Sequence, residues 1–234
     1  MTSSYIEEDI HTAILKLEDN SYDLLYSSPP YGTTSAKWDN ALKWDMLFDE
    51  IWRVLKPNGI CVLHSSMPFT YELCKHDTPK YHWSWKKNTH TNFMKAKLQP
   101  LRDVEEVLVF YKKSGTYNPQ MKGDDIRKKR YTKDTSKNSY LGKRSNIKEE
   151  FTSDKESHKG KYPTTFLEYK IRRDGTGINR PDEMIDYFIK TYSNEGDRVL
   201  DISCHNEYVG DRCKLLGREY LGIDITLEAL NQNQ

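Results

Sequence analysis

Two segments of the chain carry residues that could do chemistry at the ends of predicted strands. The first is Ser27–Tyr31, which follows the short apolar run Asp23–Tyr26 and contains two prolines that neither a helix nor a central strand can continue. The second comprises Asp201, directly after an apolar run, and Asp224, at the end of the next run. In open α/β sheets, ligands bind at the carboxyl ends of strands. An acid in the position of Asp224 is typical of the residue that holds the ribose hydroxyls in nucleotide-binding βαβ units.

The elements that position these residues alternate between strand and helix patterns. Asn58-Gly59 and Asn194–Asp197 are turn signals that separate them. We predict strands at 23–26, 60–63, 83–87, 104–111, 198–202 and 220–225, and helices at 10–17, 42–54, 68–73, 181–192 and 208–216. Strands that alternate with helices through short loops predict the α/β class and a parallel, doubly wound, Rossmann-like sheet.

A basic segment interrupts this alternation. The net charge of the chain is +1, yet residues 86–148 hold 17 Lys and Arg against 6 Asp and Glu. Residues 112–160 also lack apolar periodicity, so we predict a loop-rich basic insertion. Cations interleaved with tyrosines suit phosphate contacts and stacking on bases, which indicates nucleic acid. A solvated loop without a partner is the alternative.

Other classes of protein are disfavoured. No apolar run approaches the roughly 20 residues that span a bilayer, and the first 20 residues lack a signal-peptide core. The four cysteines form no CxxC pair, so we expect reduced thiols in an intracellular protein and no metal site.

Ser28-Pro29-Pro30-Tyr31 resembles the (D/N/S)PPY motif of methyltransferases that modify exocyclic amines of DNA bases. The resemblance covers nearly the whole chain and is closest to a phage and bacterial subgroup with the order DPPYGTT, KWD and KPNG. It extends over residues 29–34, 37–39, 55–59, 91–93, 100–102, 109–111, 116–121, 191–201, 216–218 and 222–224.

The order of these motifs is that of the permuted, beta-type enzymes, with the catalytic motif ahead of the cofactor motif. The resemblance implies three segments: a catalytic half at 1–111, a basic target-recognition insertion at 112–161 and a cofactor half at 162–234. It further implies S-adenosylmethionine as cofactor, double-stranded DNA as substrate, and transfer of a methyl group to N6 of a flipped adenine or N4 of a flipped cytosine. A homodimer or a heteromeric methyltransferase partner, no membrane, and a cytoplasmic or nucleoid location are expected, with the nucleus and the virion left open.

The residue roles implied by the resemblance fall into three groups. Ser28 and the Pro29 carbonyl would accept the amine hydrogens, Pro30 would help to fix the turn, and Tyr31 would stack on the base. The expected cofactor-binding residues are Asp201, Ser203, Asn206 and Asp224. The expected DNA-binding residues are Lys37, Lys97, Arg102, Arg127, Lys128, Lys129, Arg130, Lys143 and Arg144.

The sequence departs from the subgroup at three places. Position 28 is Ser where the subgroup has Asp, and SPPY is typical of cytosine-N4 enzymes, which leaves the target base open. The loop at 201–210 lacks the internal glycines of the family, although Asn206 could adopt the left-handed conformation that the turn needs. Of the motif before the helix at 181–192, only Pro181 is kept. Two hypotheses follow: an active methyltransferase, or an inactive DNA-binding pseudo-methyltransferase that serves as a subunit or scaffold.

Overall fold

The computed structural model describes residues 2–36, 39–133, 149–172 and 180–226, which form a mixed α/β fold. The strands are β1 (Ser3–Glu7), β2 (Tyr22–Ser27), β3 (Leu55–Ser65), β4 (Tyr81–Thr91), β5 (Arg102–Phe110), β6 (Lys122–Lys133), β7 (Glu149–Lys161), β8 (Phe166–Glu168), β9 (Arg198–Asp201) and β10 (Glu219–Asp224). The helices are α1 (Ile10–Ala13), α2 (Trp44–Val54), α3 (Phe69–His76), α4 (Asp182–Tyr192) and α5 (Tyr208–Leu215).

The main sheet has eight strands in the order β1-β10-β9-β2-β3-β5-β4-β8. The first five are parallel, as the alternation of elements predicts. The prediction of a wholly parallel sheet is wrong at β5, which is antiparallel to both β3 and β4. The connection at residues 92–101 contains only a 3₁₀ turn, and parallel neighbours would need a longer crossover.

Helices cover both faces of the sheet, so it is doubly wound. On β2, Leu25 points into a core that includes Leu47 and Ile51 of α2. Its neighbour Leu24 points into a second core that includes Phe188 of α4. Side chains of a strand alternate between the two faces, and a strand that is buried on both reads as a continuous apolar run. This is why β2 could be found from sequence.

Two compact units make up the chain: residues 1–118 with 164–234, and residues 119–163. In the second unit, β6 and β7 form an antiparallel two-stranded sheet. The prediction of loops is therefore wrong over 122–133 and 149–161. Charged residues fill these strands and leave no apolar alternation, which is the signal on which strand prediction depends. No helix in the described part of the chain is long and apolar enough to cross a membrane.

Candidate functional site

The catalytic motif and the cofactor loop meet at one edge of the main sheet. β2, β9 and β10 are parallel neighbours, so the residues that follow Ser27, Asp201 and Asp224 emerge on the same side. A hydrogen bond joins two of these strand ends directly: the Ser27 hydroxyl donates to Oδ1 of Asp201 over 2.7 Å. The fold thus brings together segments that lie more than 170 positions apart in the sequence.

A buried carboxylate fixes the turn after Tyr31. Asp39 accepts hydrogen bonds from the backbone N–H groups of Gly32, Thr33 and Thr34, over 2.7, 2.9 and 2.7 Å. Burial raises the pKa of this carboxyl, but the hydrogen bonds from Thr34, Gly32 and Thr33 outweigh burial and leave the pKa below its ordinary value. Gly32 has φ of +63°, and a Cβ there would lie 2.9 Å from the Cβ of Ala41. Gly32 and Asp39, which belong to the motifs that resemble the family, therefore hold the shape of the turn.

The Tyr31 ring is held on one face and at its hydroxyl. The ring stacks on Phe69 with 5.0 Å between centroids and 21° between planes. The hydroxyl donates to Oε2 of Glu105 over 3.3 Å and accepts from Nη2 of Arg180 over 3.0 Å. Burial raises the pKa of this hydroxyl well above its ordinary value, although Arg180 and a hydrogen bond with Ser28 favour its ionisation. Tyr31 is therefore a neutral, oriented ring at the candidate site.

Glu105 belongs to a buried group of charges that sequence reasoning missed. Its Oε1 lies 2.7 Å from Nζ of Lys87, and its Oε2 lies 3.5 Å from Nη2 of Arg180. Lys87 and Glu105 are both buried. Nε of Arg180 has no hydrogen-bond partner within the described residues. The one sequence signal is the acid pair Glu105-Glu106, which precedes the apolar residues 107–110 of β5, and acids on a strand ordinarily mark a solvent face.

The Asp201 carboxylate bonds to other groups of the protein and does not face solvent. It is buried and accepts hydrogen bonds from the Ser27 hydroxyl, the backbone N–H of Ser203 and, at 3.3 Å, the Tyr220 hydroxyl. Burial raises the pKa of its carboxyl to about 6, although these hydrogen bonds lower it. Asp201 therefore ties the cofactor loop to the catalytic strand.

The loop after Asp201 turns sharply without glycine. The left-handed residue is His205, with φ of +51°, and not Asn206, so that expectation is wrong. The Asn206 side chain instead accepts the backbone N–H of Tyr208, the first residue of α5, over 3.2 Å. The first N–H groups of a helix have no partner inside the helix and usually bond to a side-chain oxygen. Asn206 supplies this oxygen, and the left-handed position falls to His205 instead. The exposed His205 donates its own backbone N–H to Oδ2 of Asp224 over 2.8 Å.

The expected DNA-binding residues are only partly described. Lys97 is exposed in the β4–β5 connection, and Arg102 begins β5. Arg127, Lys128, Lys129 and Arg130 lie on β6. Lys37, Lys143 and Arg144 lie outside the described residues. Within the described ranges, no group of His, Cys, Asp and Glu could hold a metal ion.

Comparisons with known proteins agree on one family. A family model described as DNA methylase, of the N6 and N4 type, matches residues 22–234. The Type II methyltransferase M.HpaI of Haemophilus parainfluenzae is 26% identical in an alignment that covers 92% of this chain and 68% of the relative. The M1.HpyAVI–SAM complex matches with a TM-score of 0.58 at 17% identity, over 96% of this chain and 93% of the other. The cytosine-N4-specific PvuII DNA methyltransferase matches with 0.63 at 13% identity, over 97% and 83%. These two structures support the Rossmann-like fold.

Proposed function

Because the chain belongs to the DNA methylase family of the N6 and N4 type, we propose that it transfers a methyl group to an exocyclic amine in DNA. The donor is S-adenosylmethionine, and the acceptor is N6 of adenine or N4 of cytosine in a base that has left the helix. The observation that carries the proposal is the Ser27–Asp201 hydrogen bond. It brings the turn that would receive the base beside the loop that would hold the methyl donor.

The residues at β9 and β10 fit the proposed cofactor. Asp224 is half-exposed and accepts backbone N–H groups from His205 and Thr226. A carboxylate offers about four acceptor positions, so Asp224 can also accept the two ribose hydroxyls. The backbone of the exposed His205 makes the left-handed turn, at a loop where the family resemblance implies glycines. Asp224, Ser203 and Asn206 would hold the cofactor, which supplies an electrophilic methyl group when bound.

The turn at Ser28–Tyr31 would orient the target amine. The Ser28 hydroxyl and the Pro29 carbonyl would accept the two amine hydrogens, and the face of Tyr31 opposite Phe69 would stack on the base. The nitrogen lone pair, which is delocalised into the ring in the free base, then points at the methyl group. The N–C bond forms as the donor's S–C bond breaks, and one amine proton leaves to solvent. Positioning and electrostatics are sufficient for this step, without a strong base.

The remaining parts of the proposal concern DNA. We infer that the basic insertion at 112–161 recognises the target sequence, and that the exposed Lys97 contacts phosphate. Double-stranded DNA is the proposed partner, and contact with it would place the protein in the cytoplasm or the nucleoid. A second copy of the chain remains a candidate partner.

The first test is expression in a bacterial host that lacks DNA methyltransferases. Mass spectrometry of the nucleosides should find either N6-methyladenine or N4-methylcytosine, and single-molecule sequencing should place it in one short motif. Tyr31→Ala should abolish the modification, whereas Tyr31→Phe, which keeps the ring on Phe69, should retain part of it. Tyr71→Ala, at an exposed tyrosine of α3, is the matched control.

Titration with S-adenosylmethionine separates the enzyme from an inactive relative. We expect micromolar binding that Asp224→Asn weakens at least tenfold, while Asp49→Asn, at an exposed acid of α2, leaves it unchanged. No binding up to millimolar cofactor, together with intact and salt-dependent DNA binding, would refute the methyltransferase proposal. The chain would then be a DNA-binding subunit on a methyltransferase fold.

A further inference from the structure

The connection between β4 and β5 exposes three large apolar side chains. Phe93, Met94 and Leu98 are 65%, 98% and 87% exposed. Phe93 and Met94 lie in a short 3₁₀ turn at Phe93–Lys95, and Leu98 follows it closely. None of the three belongs to the two cores of the main unit. Single exposed apolar residues are ordinary, but a group of them within six positions marks an interaction site. We call these three residues the β4–β5 patch.

The patch lies at the same edge of the sheet as Tyr31. Thr91 pairs with Arg102, so the connection leaves the sheet where β4 ends and β5 begins. Three residues further along β5, Glu105 contacts the Tyr31 hydroxyl, a separation of roughly 10 Å along the strand. Arg102 also donates to the carbonyl of Met67 over 2.7 Å, which ties the connection to the turn after β3. The patch is therefore beside the site that would receive the target base.

The charges around the patch indicate what covers it. Residues 90–102 contain Lys95, Lys97 and Arg102 and no acid. Lys95 and Lys97 are exposed and alternate with the apolar residues of the patch. Cations beside apolar side chains match a nucleic acid, in which phosphates lie beside stacked bases. An apolar protein surface would leave these lysines without a complement.

We propose that the β4–β5 patch enters the duplex next to the target base pair and occupies the space that the flipped base leaves. Lys95 and Lys97 contact the neighbouring phosphates. Removing a base from the stack costs a few kcal/mol, and apolar side chains inserted at the step offset part of that cost. The proposal rests on the proposed function, because it requires a flipped base.

The test compares two forms of a duplex that carries the motif mapped by sequencing. In one, the target base is paired; in the other, it faces an abasic site, so little energy is needed to flip it. The variant is the triple substitution Phe93→Ala, Met94→Ala and Leu98→Ala. The control is Leu15→Ala with Leu215→Ala, at exposed leucines outside the connection. Rates of methyl transfer are measured on both duplexes.

We expect the triple variant to lose at least tenfold in kcat/KM on the paired duplex and to recover to within about threefold of wild type on the abasic one. A 2-aminopurine at the target position should brighten with wild type and not with the variant. Equal losses on both duplexes, or no loss on either, would overturn the proposal that the β4–β5 patch enters the duplex. A variant that changes a dimer into a monomer in sedimentation would also overturn it, because the patch would then join copies of the chain. If the wild-type protein methylates neither duplex, the proposed function and the proposed role of the β4–β5 patch are both overturned.

Discussion

Replacing Glu105 by Gln should destabilise the protein strongly, because it leaves a buried cation without its partner. Nζ of Lys87 lies 2.7 Å from Oε1 of Glu105, and the two side chains are 2% and 12% exposed. Removing one partner of a buried ion pair costs about 3–5 kcal/mol. Arg180 keeps the Tyr31 hydroxyl as a partner, so the loss falls mainly on Lys87. We expect a loss of about 3 kcal/mol in the free energy of unfolding.

The same two strands offer a matched control. Lys86 and Asp103 form an ion pair on β4 and β5, and both side chains are partly exposed. Solvent screens an exposed ion pair, so Asp103→Asn should change stability far less than Glu105→Gln does. Urea unfolding, followed by the tryptophan fluorescence of the protein, to which the buried Trp85 contributes, measures both variants on one scale.

A second variant separates the unpaired charge from a general loss of packing. Glu105→Gln combined with Lys87→Met removes both charges, so the double variant should regain at least half of the lost stability. The reasoning is refuted if Glu105→Gln costs no more than Asp103→Asn. It is also refuted if the double variant is as unstable as the sum of the two single variants.

Three further predictions concern single residues. The pKa of Asp201 is raised from 3.8 to about 6, so its contribution to stability is full below pH 4 and is lost as the pH rises to 6, by about 3 kcal/mol. The free energy of unfolding of Asp201→Asn, measured between pH 4 and 7, should lack this fall with pH. An unchanged fall would contradict the assignment to Asp201. Asp39→Ala leaves three backbone N–H groups without their acceptor. It should cost about 2 kcal/mol in urea unfolding, together with most of the methylation. Asp49→Ala, at an exposed acid of α2, should cost neither. Gly222→Ala places a Cβ 2.9 Å from Sγ of Cys204, so it should lower the free energy of unfolding by about 1–3 kcal/mol and weaken cofactor binding. Gly196→Ala, with no atom within 4 Å, should cost only the strain of its positive φ and leave cofactor binding unchanged.

The parts of the site that sequence could predict are those with local signals. The apolar run of β2 and the prolines after it place Ser28–Tyr31 at a strand end. The same pattern places Asp201 and Asp224 at the ends of β9 and β10, and the structure puts all three segments at one edge. Local signals also give helices such as α2 and α4, because each has an apolar face at helical spacing.

What could not be predicted depends on which strands pair. The antiparallel insertion of β5 between β3 and β4 is what places Glu105 beside Lys87 and Tyr31. In the sequence, Glu105 and Lys87 have the spacing of charged residues on the solvent-facing side of a strand. The choice of His205 over Asn206 for the left-handed turn is a similar case. It follows from two partners outside the turn: Asp224 binds the N–H of His205, and the N–H of Tyr208 occupies Asn206.

The position of Glu105 gives a physical reason for Ser at position 28. A hydrogen bond links Ser28 to the Tyr31 hydroxyl, which itself donates to Glu105. Aspartate at position 28, as in the subgroup that the chain resembles, would put a second carboxylate one hydroxyl away from Glu105. Two carboxylates so close would repel each other, and this repulsion disfavours aspartate at position 28. A neutral hydroxyl at position 28 adds no second negative charge beside Glu105, whose carboxylate lies between Lys87 and Arg180 and accepts the Tyr31 hydroxyl.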